Sequence, residues 1–189
     1  MNQKLADPAL CVKKEDNNGK RKENMTIPIV SIVGKSNSGK TTLLEKIISD
    51  LVGRGYHVAT IKHNRHGFNI DHEGKDSYRH KKAGAQMTVV SSPHQLALIA
   101  DVDHDYSFEE IRDRYISGVD IILTEGFKIN DYPKIEVYRS ELKRDLLSTK
   151  EDGLIAVAAD IPLNVGVPSL DVNDPKSITD FIEKKFLTA

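Results

Sequence analysis

The sequence predicts a three-layer α/β fold, in which helices cover both faces of a mostly parallel β-sheet and an antiparallel β-hairpin is added. Short runs of apolar, often β-branched residues, typical of buried parallel strands, alternate with segments whose apolar residues recur every three or four positions. Strands that are separated by helices favour a parallel sheet. Two further strand-like runs flank Ser92-Pro93-His94 and predict the hairpin.

The first strand and helix are predicted on either side of a glycine-rich turn. Residues 27–33 are the strand, and the helix is expected to end at Gly53 and Gly55. The apolar face of that helix consists of Leu43, Leu44, Ile47, Ile48, Leu51 and Val52. A second strand is predicted at 57–62. Residues 63–75 are predicted to be an exposed loop, because they are rich in Gly, Asn and Asp.

Two short helices are predicted from their terminal residues. Asp76 is expected to cap the first, which stops near Gly84. Ser107 and Glu110 form a capping-box pattern for the second, which is expected to reach about Ile116.

The remaining elements follow the same alternation. Asp174-Pro175 begins a last helix with Ile178, Phe181, Ile182 and Phe186 on its apolar face. The other predicted strands are 86–91 and 95–100, which form the hairpin, and 120–124, 135–138 and 154–158.

Composition limits the classes of function. There are 27 basic and 28 acidic residues, so the net charge of −1 gives no basic field for nucleic acid. The one cysteine, Cys11, excludes an internal disulfide framework and favours a reducing compartment. Neither an apolar run of about 20 residues nor the apolar core of a signal peptide is present. We therefore expect a cytoplasmic protein without a membrane segment.

The first 24 residues differ from the rest. Residues 13–24 are almost wholly polar and lack any apolar period, so residues 1–24 are predicted to be a disordered tail before one nucleotide-binding domain at 25–189. We interpret the tail as a solvated leader, and contact of its basic residues with an acidic partner is the alternative.

A phosphate-binding loop is the strongest functional signal. The pattern G-x-x-x-x-G-K-[ST] is matched by Gly34-Lys35-Ser36-Asn37-Ser38-Gly39-Lys40-Thr41. An apolar strand precedes it and an amphipathic helix follows, as in the P-loop NTPase fold. Such a loop points its amides at phosphate, and the helix N-terminus adds partial positive charge. Lys40 is predicted to neutralise the β- and γ-phosphates, and Thr41 to offer its hydroxyl to Mg²⁺.

Lys35 has two interpretations. A lysine directly after the first glycine also occurs in dimeric ATPases that resemble the septum-positioning and nitrogenase-iron-protein group, where it reaches the nucleotide of the partner subunit. The alternative is a solvated loop lysine.

Acidic residues suggest the rest of a magnesium site. Glu125 ends an apolar strand, where the second carboxylate of such sites usually lies, whereas Asp120 begins that strand and is expected on the far side. Asp71 and Asp76 are candidates to approach Mg²⁺ or the γ-phosphate. His63, His66, His72 and His80 could in principle bind zinc, but no cysteine or close ligand pair completes such a site. A flexible loop is therefore the preferred interpretation.

Several segments together carry a family resemblance. They are Ile61-Lys62-His63, Gly74-Lys75-Asp76-Ser77-Tyr78-Arg79, Ala83-Gly84-Ala85, Leu123-Thr124-Glu125-Gly126-Phe127-Lys128, Pro133-Lys134-Ile135-Glu136-Val137-Tyr138-Arg139 and Ala156-Val157-Ala158-Ala159-Asp160. With the phosphate loop they resemble the molybdopterin-guanine dinucleotide biosynthesis protein B family (MobB) over residues 27–185.

The resemblance implies a dimeric protein, similar to small P-loop GTPases and slow at hydrolysis, in molybdenum-cofactor maturation. It implies that Gly39, Lys40, Thr41 and Thr42 bind the phosphates of GTP, with Asp76 and Glu125 near Mg²⁺. The implied partners are a second copy, the molybdopterin guanylyltransferase and molybdoenzymes. Leu96, Leu98 and Ile99 are expected either at a dimer interface or in the chain's own core.

The sequence departs from GTPases in one respect. Their guanine-reading Asn-Lys-x-Asp is absent, and Asp160, which ends a late strand, is the proposed substitute. The alternative is a turn acid before Pro162.

Three functions remain in competition. The first is a GTP-binding accessory protein of molybdenum-cofactor synthesis that is at most a slow GTPase, because no obvious general base or arginine finger is present. The second is a small-molecule or nucleotide kinase, for which no dense arginine lid is found among the candidates Arg112, Arg114, Arg139 and Arg144. The third is a nucleotide-gated adapter without meaningful catalysis.

Overall fold

Two compact units make up the part of the chain that the computed structural model describes, residues 26–64, 66–126 and 131–188. The first unit holds the described residues up to His63 and from Arg112 onward, and the second is Asn64–Ile111. The predicted tail at 1–24 and the motif residues Phe127 and Lys128 lie outside the described residues.

The first unit contains a six-stranded sheet. Its strands are β1 (Ile29–Val33), β2 (Val58–Lys62), β5 (Ile121–Glu125), β6 (Lys134–Tyr138), β7 (Leu154–Ala159) and β8 (Ser169–Asp171). The order across the sheet is β2-β5-β1-β6-β7-β8, and every pairing is parallel. The predicted parallel sheet is therefore confirmed, and β1 lies between β5 and β6. This order places the carboxyl ends of β5 and β6 on either side of the loop that follows β1.

Two long helices cover one face of this sheet, where both pack on the same apolar core. They are α1 (Lys40–Gly53) and α4 (Pro175–Phe186). Asp174 caps α4 as predicted, because its carboxylate accepts a hydrogen bond from the Ser177 amide. The core is apolar and combines strand and helix residues: Val30, Ile32, Leu43, Leu44, Ile47, Leu51, Ile121, Leu123, Ile135, Val137, Ala156, Ala158, Val172, Ile178 and Ile182.

Two details of this unit differ from the prediction. Val52 is predicted on the buried face of α1, but the residue is 55% exposed. It follows the fully buried Leu51 by one residue, which turns its side chain about 100° around the helix axis, away from the core. The strand β8 was not predicted. It is three residues long, and Leu170 is its one apolar residue, so it carries too little periodicity to be recognised.

The second unit contains the hairpin of β3 (Met87–Ser91) and β4 (Leu96–Ala100), which pair antiparallel as predicted. The helix α3 (Phe108–Tyr115) begins in this unit. Its capping box is confirmed, because the Ser107 amide donates to Glu110 and the Glu110 amide donates to the Ser107 hydroxyl.

The short helix α2 (Asp76–Lys82) also lies in the second unit and corrects one prediction. Asp76 is the first residue inside the helix, and Lys75 takes the capping position. The Asp76 carboxylate lies 3.6 Å from Arg79 one turn on, and its side chain is 86% exposed. It supplies negative charge to the first turn instead of a cap. None of the helices in the described ranges is long and apolar enough to cross a bilayer.

Candidate functional site

The glycine-rich loop joins β1 to α1 in a conformation that requires glycine at its start. Gly34 has φ +145°, and a Cβ built on it would lie 2.6 Å from the carbonyl oxygen of Val137 in β6. The loop therefore packs directly against the neighbouring strand. No larger residue fits at this position, because the clashing atom belongs to the backbone of the sheet.

The far end of the loop is also strained for ordinary residues. Gly39 caps α1 with φ +87°, and Asn37 adopts φ +66°. This geometry turns the chain so that the first residues of α1, Lys40 to Thr42, follow the loop directly. The first amides of a helix have no intrahelical partner, so they are available to an anion. Ser36, Asn37, Thr41 and Thr42 are exposed, and Lys35 and Lys40 are half-buried.

Lys40 folds back over the loop. Its ammonium donates a 2.8 Å hydrogen bond to the carbonyl oxygen of Lys35. The same charge that is predicted to neutralise phosphate thus lies above the loop rather than in bulk solvent. Ser38 is 2% exposed, and its hydroxyl finds no partner among the described residues.

Thr41 and Glu125 meet across the sheet's carboxyl edge. The Thr41 hydroxyl donates a 2.7 Å hydrogen bond to Glu125 Oε1, and Lys62 Nζ lies 3.5 Å from Glu125 Oε2. The Glu125 side chain is 12% exposed. A hydroxyl and a carboxylate in contact are the hard oxygen ligands that Mg²⁺ prefers, so the pair fits this ion.

The backbone holds Glu125 in this place. β5 pairs with both β1 and β2, and the His63 amide donates to the Glu125 carbonyl oxygen. Gly126 then turns with φ +101°, and a Cβ there would lie 2.6 Å from the His63 carbonyl oxygen. Asp120 precedes the other end of β5 and accepts from the His57 amide. It therefore lies on the far edge of the sheet, as predicted.

β6 forms a second wall of the phosphate loop. Besides Val137, it supplies Glu136, which is 2% exposed and accepts hydrogen bonds from the amides of Leu147 and Ser148 at 2.7 and 3.0 Å. Burial raises the pKa of the Glu136 carboxyl, and the two amides and the Lys35 charge oppose that rise.

Arg139, directly after β6, lies at the other end of the loop. Its Nη2 lies 3.8 Å from the position of a Cβ built on Gly39, and its Nη1 donates to Asn173 Oδ1 at 3.3 Å. A pocket beside the loop is lined by Lys35, Ser38, Glu136, Val137, Tyr138, Arg139, Leu142, Arg144 and Asp145.

Asp160 follows β7, on the β6 side of the phosphate loop. One carboxylate oxygen accepts from the Ser140 amide and the other from the Ser140 hydroxyl, each at 2.9 Å. The Ser140 amide lowers the pKa of this carboxyl, and the charge of Arg139 adds to the effect. The carboxylate thus anchors the turn at Ser140–Leu142. Each of its oxygens retains a further lone pair, so a role in reading guanine stays a prediction.

The remaining acidic and histidine candidates, His63 apart, lie in the second unit. Asp71 Oδ1 accepts from the His72 amide and from the Ser77 hydroxyl, at 2.8 and 3.0 Å. Asp76 begins α2, and its role near Mg²⁺ stays a prediction. In the described ranges no three His, Cys, Asp or Glu side chains are grouped to hold a metal ion.

Sequence reasoning did not assign a site role to the β6 residues. Glu136 and Arg139 belong to a segment quoted for the family resemblance, and Arg139 was weighed for a kinase lid. The available signal was their position: they lie in and directly after a strand predicted to pair within the same sheet as the phosphate-loop strand. Which strand adjoins β1 is a non-local property that the local pattern does not contain.

The parallel sheet, the glycine-rich loop before α1 and the Thr41–Glu125 pair define a P-loop protein of the α/β class. The family model described as "MobB: Molybdopterin guanine dinucleotide synthesis protein B" matches residues 29–160. The chain belongs to this family.

Two relatives and a solved structure agree with that assignment. The chain is 38% identical to the molybdopterin-guanine dinucleotide biosynthesis adapter protein of Haemophilus influenzae, over 85% of this chain and 90% of that one. It is also 38% identical to the adapter protein of the same name in Escherichia coli, over 82% and 91% of the two chains. A crystal structure of Bacillus subtilis MobB superposes with a TM-score of 0.66 at 30% identity, covering 86% of this chain and 99% of that one.

Proposed function

We propose that this chain is a GTP-binding adapter in the biosynthesis of the molybdopterin guanine dinucleotide cofactor. The observation that carries the nucleotide site is the Thr41–Glu125 contact beside the phosphate loop. The adapter role is supported by the names of the relatives, which are molybdopterin-guanine dinucleotide biosynthesis adapter proteins.

The phosphates of GTP would lie on the amides of the loop and of the first turn of α1. The residues that supply this cradle are Gly34, Lys35, Ser36, Asn37, Ser38, Gly39, Lys40, Thr41 and Thr42. Lys40 exchanges its bond to the Lys35 carbonyl oxygen for phosphate oxygens, which bind an ammonium more strongly because they are charged. Thr41 and Glu125 would hold Mg²⁺, which when bound neutralises charge on the phosphates. Asp76 is a further candidate ligand.

Guanine is proposed to lie on the β7 side. Asp160 and Asp171 line a pocket at the carboxyl ends of β7 and β8, where ligands of open α/β sheets bind. A carboxylate there can accept two hydrogens from the guanine edge. Asp160→Ala should therefore reduce the preference for GTP over ATP, whereas Ser140→Ala removes one hydrogen bond to Asp160 and keeps the carboxylate. An unchanged preference in Asp160→Ala would end this assignment.

Hydrolysis is expected to be slow. Glu125 is the carboxylate that contacts the phosphate loop, and it is already engaged by Thr41 and Lys62. These contacts support a role for Glu125 in binding a cation rather than in removing a proton from water. Nucleotide state, more than turnover, would then control partner binding.

The proposed partners are a second copy of the chain, the molybdopterin guanylyltransferase and molybdoenzymes, in the cytoplasm. The hairpin supports a self-association surface, because Val89, Val90, Leu96 and Leu98 are exposed at 51, 50, 66 and 38%. A short two-stranded sheet is stabilised when its exposed apolar side chains are buried against another surface. Lys35 is the loop residue proposed to reach the second copy.

The first test is calorimetry of GTP and ATP binding with Mg²⁺, on the wild type and on Lys40→Ala. Binding of GTP that is stronger than that of ATP, and that is lost in Lys40→Ala, supports the proposal. A preference for ATP contradicts it and favours a kinase, which a screen for phosphate transfer to small acceptors would then examine. Failure to bind either nucleotide contradicts the phosphate site itself.

A further inference from the structure

Two side chains of opposite charge, Glu125 and Arg139, approach the phosphate loop from its two sides. On the β5 side, Glu125 supplies a negative charge next to Thr41. On the β6 side, Arg139 supplies a positive charge next to Gly39. β1 lies between these strands, so the two side chains flank the loop from opposite directions.

A bound nucleotide would therefore be neutralised differently along its length. Thr41 and Glu125 would hold Mg²⁺ on the β5 side, where the ion would neutralise charge on the terminal phosphates. With guanine on the β7 side, as proposed above, the part of the phosphate chain that extends toward β6 and β7 would lie farther from this ion and nearer to Arg139. An arginine is suited to this position because its guanidinium is always charged and carries five N–H donors.

The position of the Arg139 guanidinium is supported from two elements. Asn173, which follows β8, accepts from Nη1. The Asp160 carboxylate after β7 is close enough for the Arg139 charge to lower its pKa. The Asn173 contact orients the guanidinium beside the loop and uses one of its N–H groups, so other N–H groups of the same side chain can face a ligand.

We propose that Arg139 is a further nucleotide-binding residue, which contacts the phosphate chain from the β6 side of the loop, away from the metal. This inference rests on the function proposed above and deepens it. Its action depends on the phosphate charge and not on Mg²⁺. Independence of Mg²⁺ distinguishes Arg139 from Glu125, whose action needs the metal. Dependence on the phosphate charge distinguishes Arg139 from a residue that only supports the fold.

The test compares Arg139→Gln and Arg139→Lys with Arg144→Gln as the matched control. Arg144 lines the same pocket, and its substitution makes the same change in charge. GDP affinity is measured by calorimetry in EDTA, and guanosine affinity is measured alongside. We expect Arg139→Gln to bind GDP about tenfold more weakly, from the loss of a charged hydrogen bond. Arg139→Lys should keep most of the affinity, Arg144→Gln should stay within about twofold, and guanosine binding should not change.

Several results would overturn the inference. If Arg139→Gln binds GDP as tightly as the wild type does, Arg139 does not contribute a contact to the phosphate chain. If guanosine affinity falls as much as GDP affinity in Arg139→Gln, Arg139 supports the fold instead of contacting phosphate. If GDP affinity falls as much in Arg144→Gln, the effect comes from net charge. If Arg139→Gln does not fold, a folded Arg139→Lys decides, since GDP affinity and guanosine affinity that fall equally in this variant also contradict the phosphate contact.

The two proposals fail differently. If the wild type prefers ATP, the function proposed above falls, and Arg139 is tested in the same way with ADP and adenosine. If Lys40→Ala abolishes GTP binding while Arg139→Gln leaves GDP binding intact, the proposed function stands and the inference about Arg139 falls. A wild type that binds no nucleotide contradicts both.

Discussion

Thr41 in the first turn of α1 and Glu125 at the end of β5 are joined by a 2.7 Å hydrogen bond. The two residues come from segments with different signals: one belongs to a phosphate-loop pattern and the other ends an apolar strand. The parallel pairing of β1 with β5 brings them together. Their contact links the proposed nucleotide site to the register of the sheet.

Glu125→Gln should lower the contribution of Mg²⁺ to GTP affinity by about tenfold or more. The amide keeps the shape of the side chain and can still accept from Thr41, but it lacks the charge that attracts the cation. Calorimetry with Mg²⁺ and with EDTA separates the metal-dependent part. The matched control is Asp120→Asn, the same type of change at the far end of the same strand. A Glu125→Gln protein in which Mg²⁺ strengthens GTP binding as in the wild type would remove Glu125 from the metal site.

Gly34→Ala should destabilise the protein by about 2 kcal/mol or more and abolish nucleotide binding. The new Cβ would meet the Val137 carbonyl oxygen at 2.6 Å, and φ of +145° is unfavourable for alanine. Urea unfolding measures the loss. Gly53→Ala is the control, since nothing lies within 4 Å of a Cβ at that position. Equal stability of the two variants would show that the loop can move away from β6.

Glu136→Gln should change how stability depends on pH. Burial raises the pKa of the Glu136 carboxyl in the folded protein above its usual 4.5. The folded state therefore holds the proton more tightly than the unfolded state. The stability that this proton contributes is fully present below pH 4.5 and is lost as the pH rises through the folded-state pKa.

The measurement is urea unfolding of both proteins over a series of pH values. Because Gln does not titrate, the stability of the wild type relative to Glu136→Gln should fall as the pH rises from 4.5 toward neutrality. Glu141→Gln, at an exposed site in the neighbouring turn, is the control. A relative stability that rises with pH would mean that the amides of Leu147 and Ser148 outweigh the burial.

Leu96→Glu should convert the proposed dimer to a monomer. Leu96 is 66% exposed on β4, and a carboxylate there would oppose burial against a second copy. Sedimentation equilibrium measures the mass. Val52→Glu, at another exposed apolar position, should leave the association unchanged. A Leu96→Glu protein that associates as strongly as the wild type would place the contact elsewhere.

Local patterns predicted most of the secondary structure. The run 27–33, the apolar face of α1 and the Asp174-Pro175 cap each contain their own evidence within one segment. Asp76 was misplaced because several polar residues near Lys75 are compatible with a helix start. The prediction failed at β8 for a different reason, since a three-residue edge strand has almost no pattern.

The sequence predicted those parts of the candidate site that are marked by a local pattern. The phosphate loop was located from its sequence, and Glu125 from its position at the end of an apolar strand. Arg139 was not assigned to the site, because its position beside Gly39 depends on β6 being the neighbour of β1. The bond between Asp160 and Ser140 likewise joins residues from two strand ends, which no local spacing encodes.

The distance in sequence between Thr41 and Glu125 also has a consequence in time. They are 84 residues apart, so at about 5–20 residues per second of synthesis Glu125 is added roughly 4 to 17 s after Thr41. During that interval the growing chain carries a phosphate loop without its carboxylate. β5 must then insert between β1 and β2 before the pair can form. The proposed binding of a nucleotide with magnesium would therefore be a property that the newborn chain acquires late, after most of its proposed phosphate-binding residues have been made.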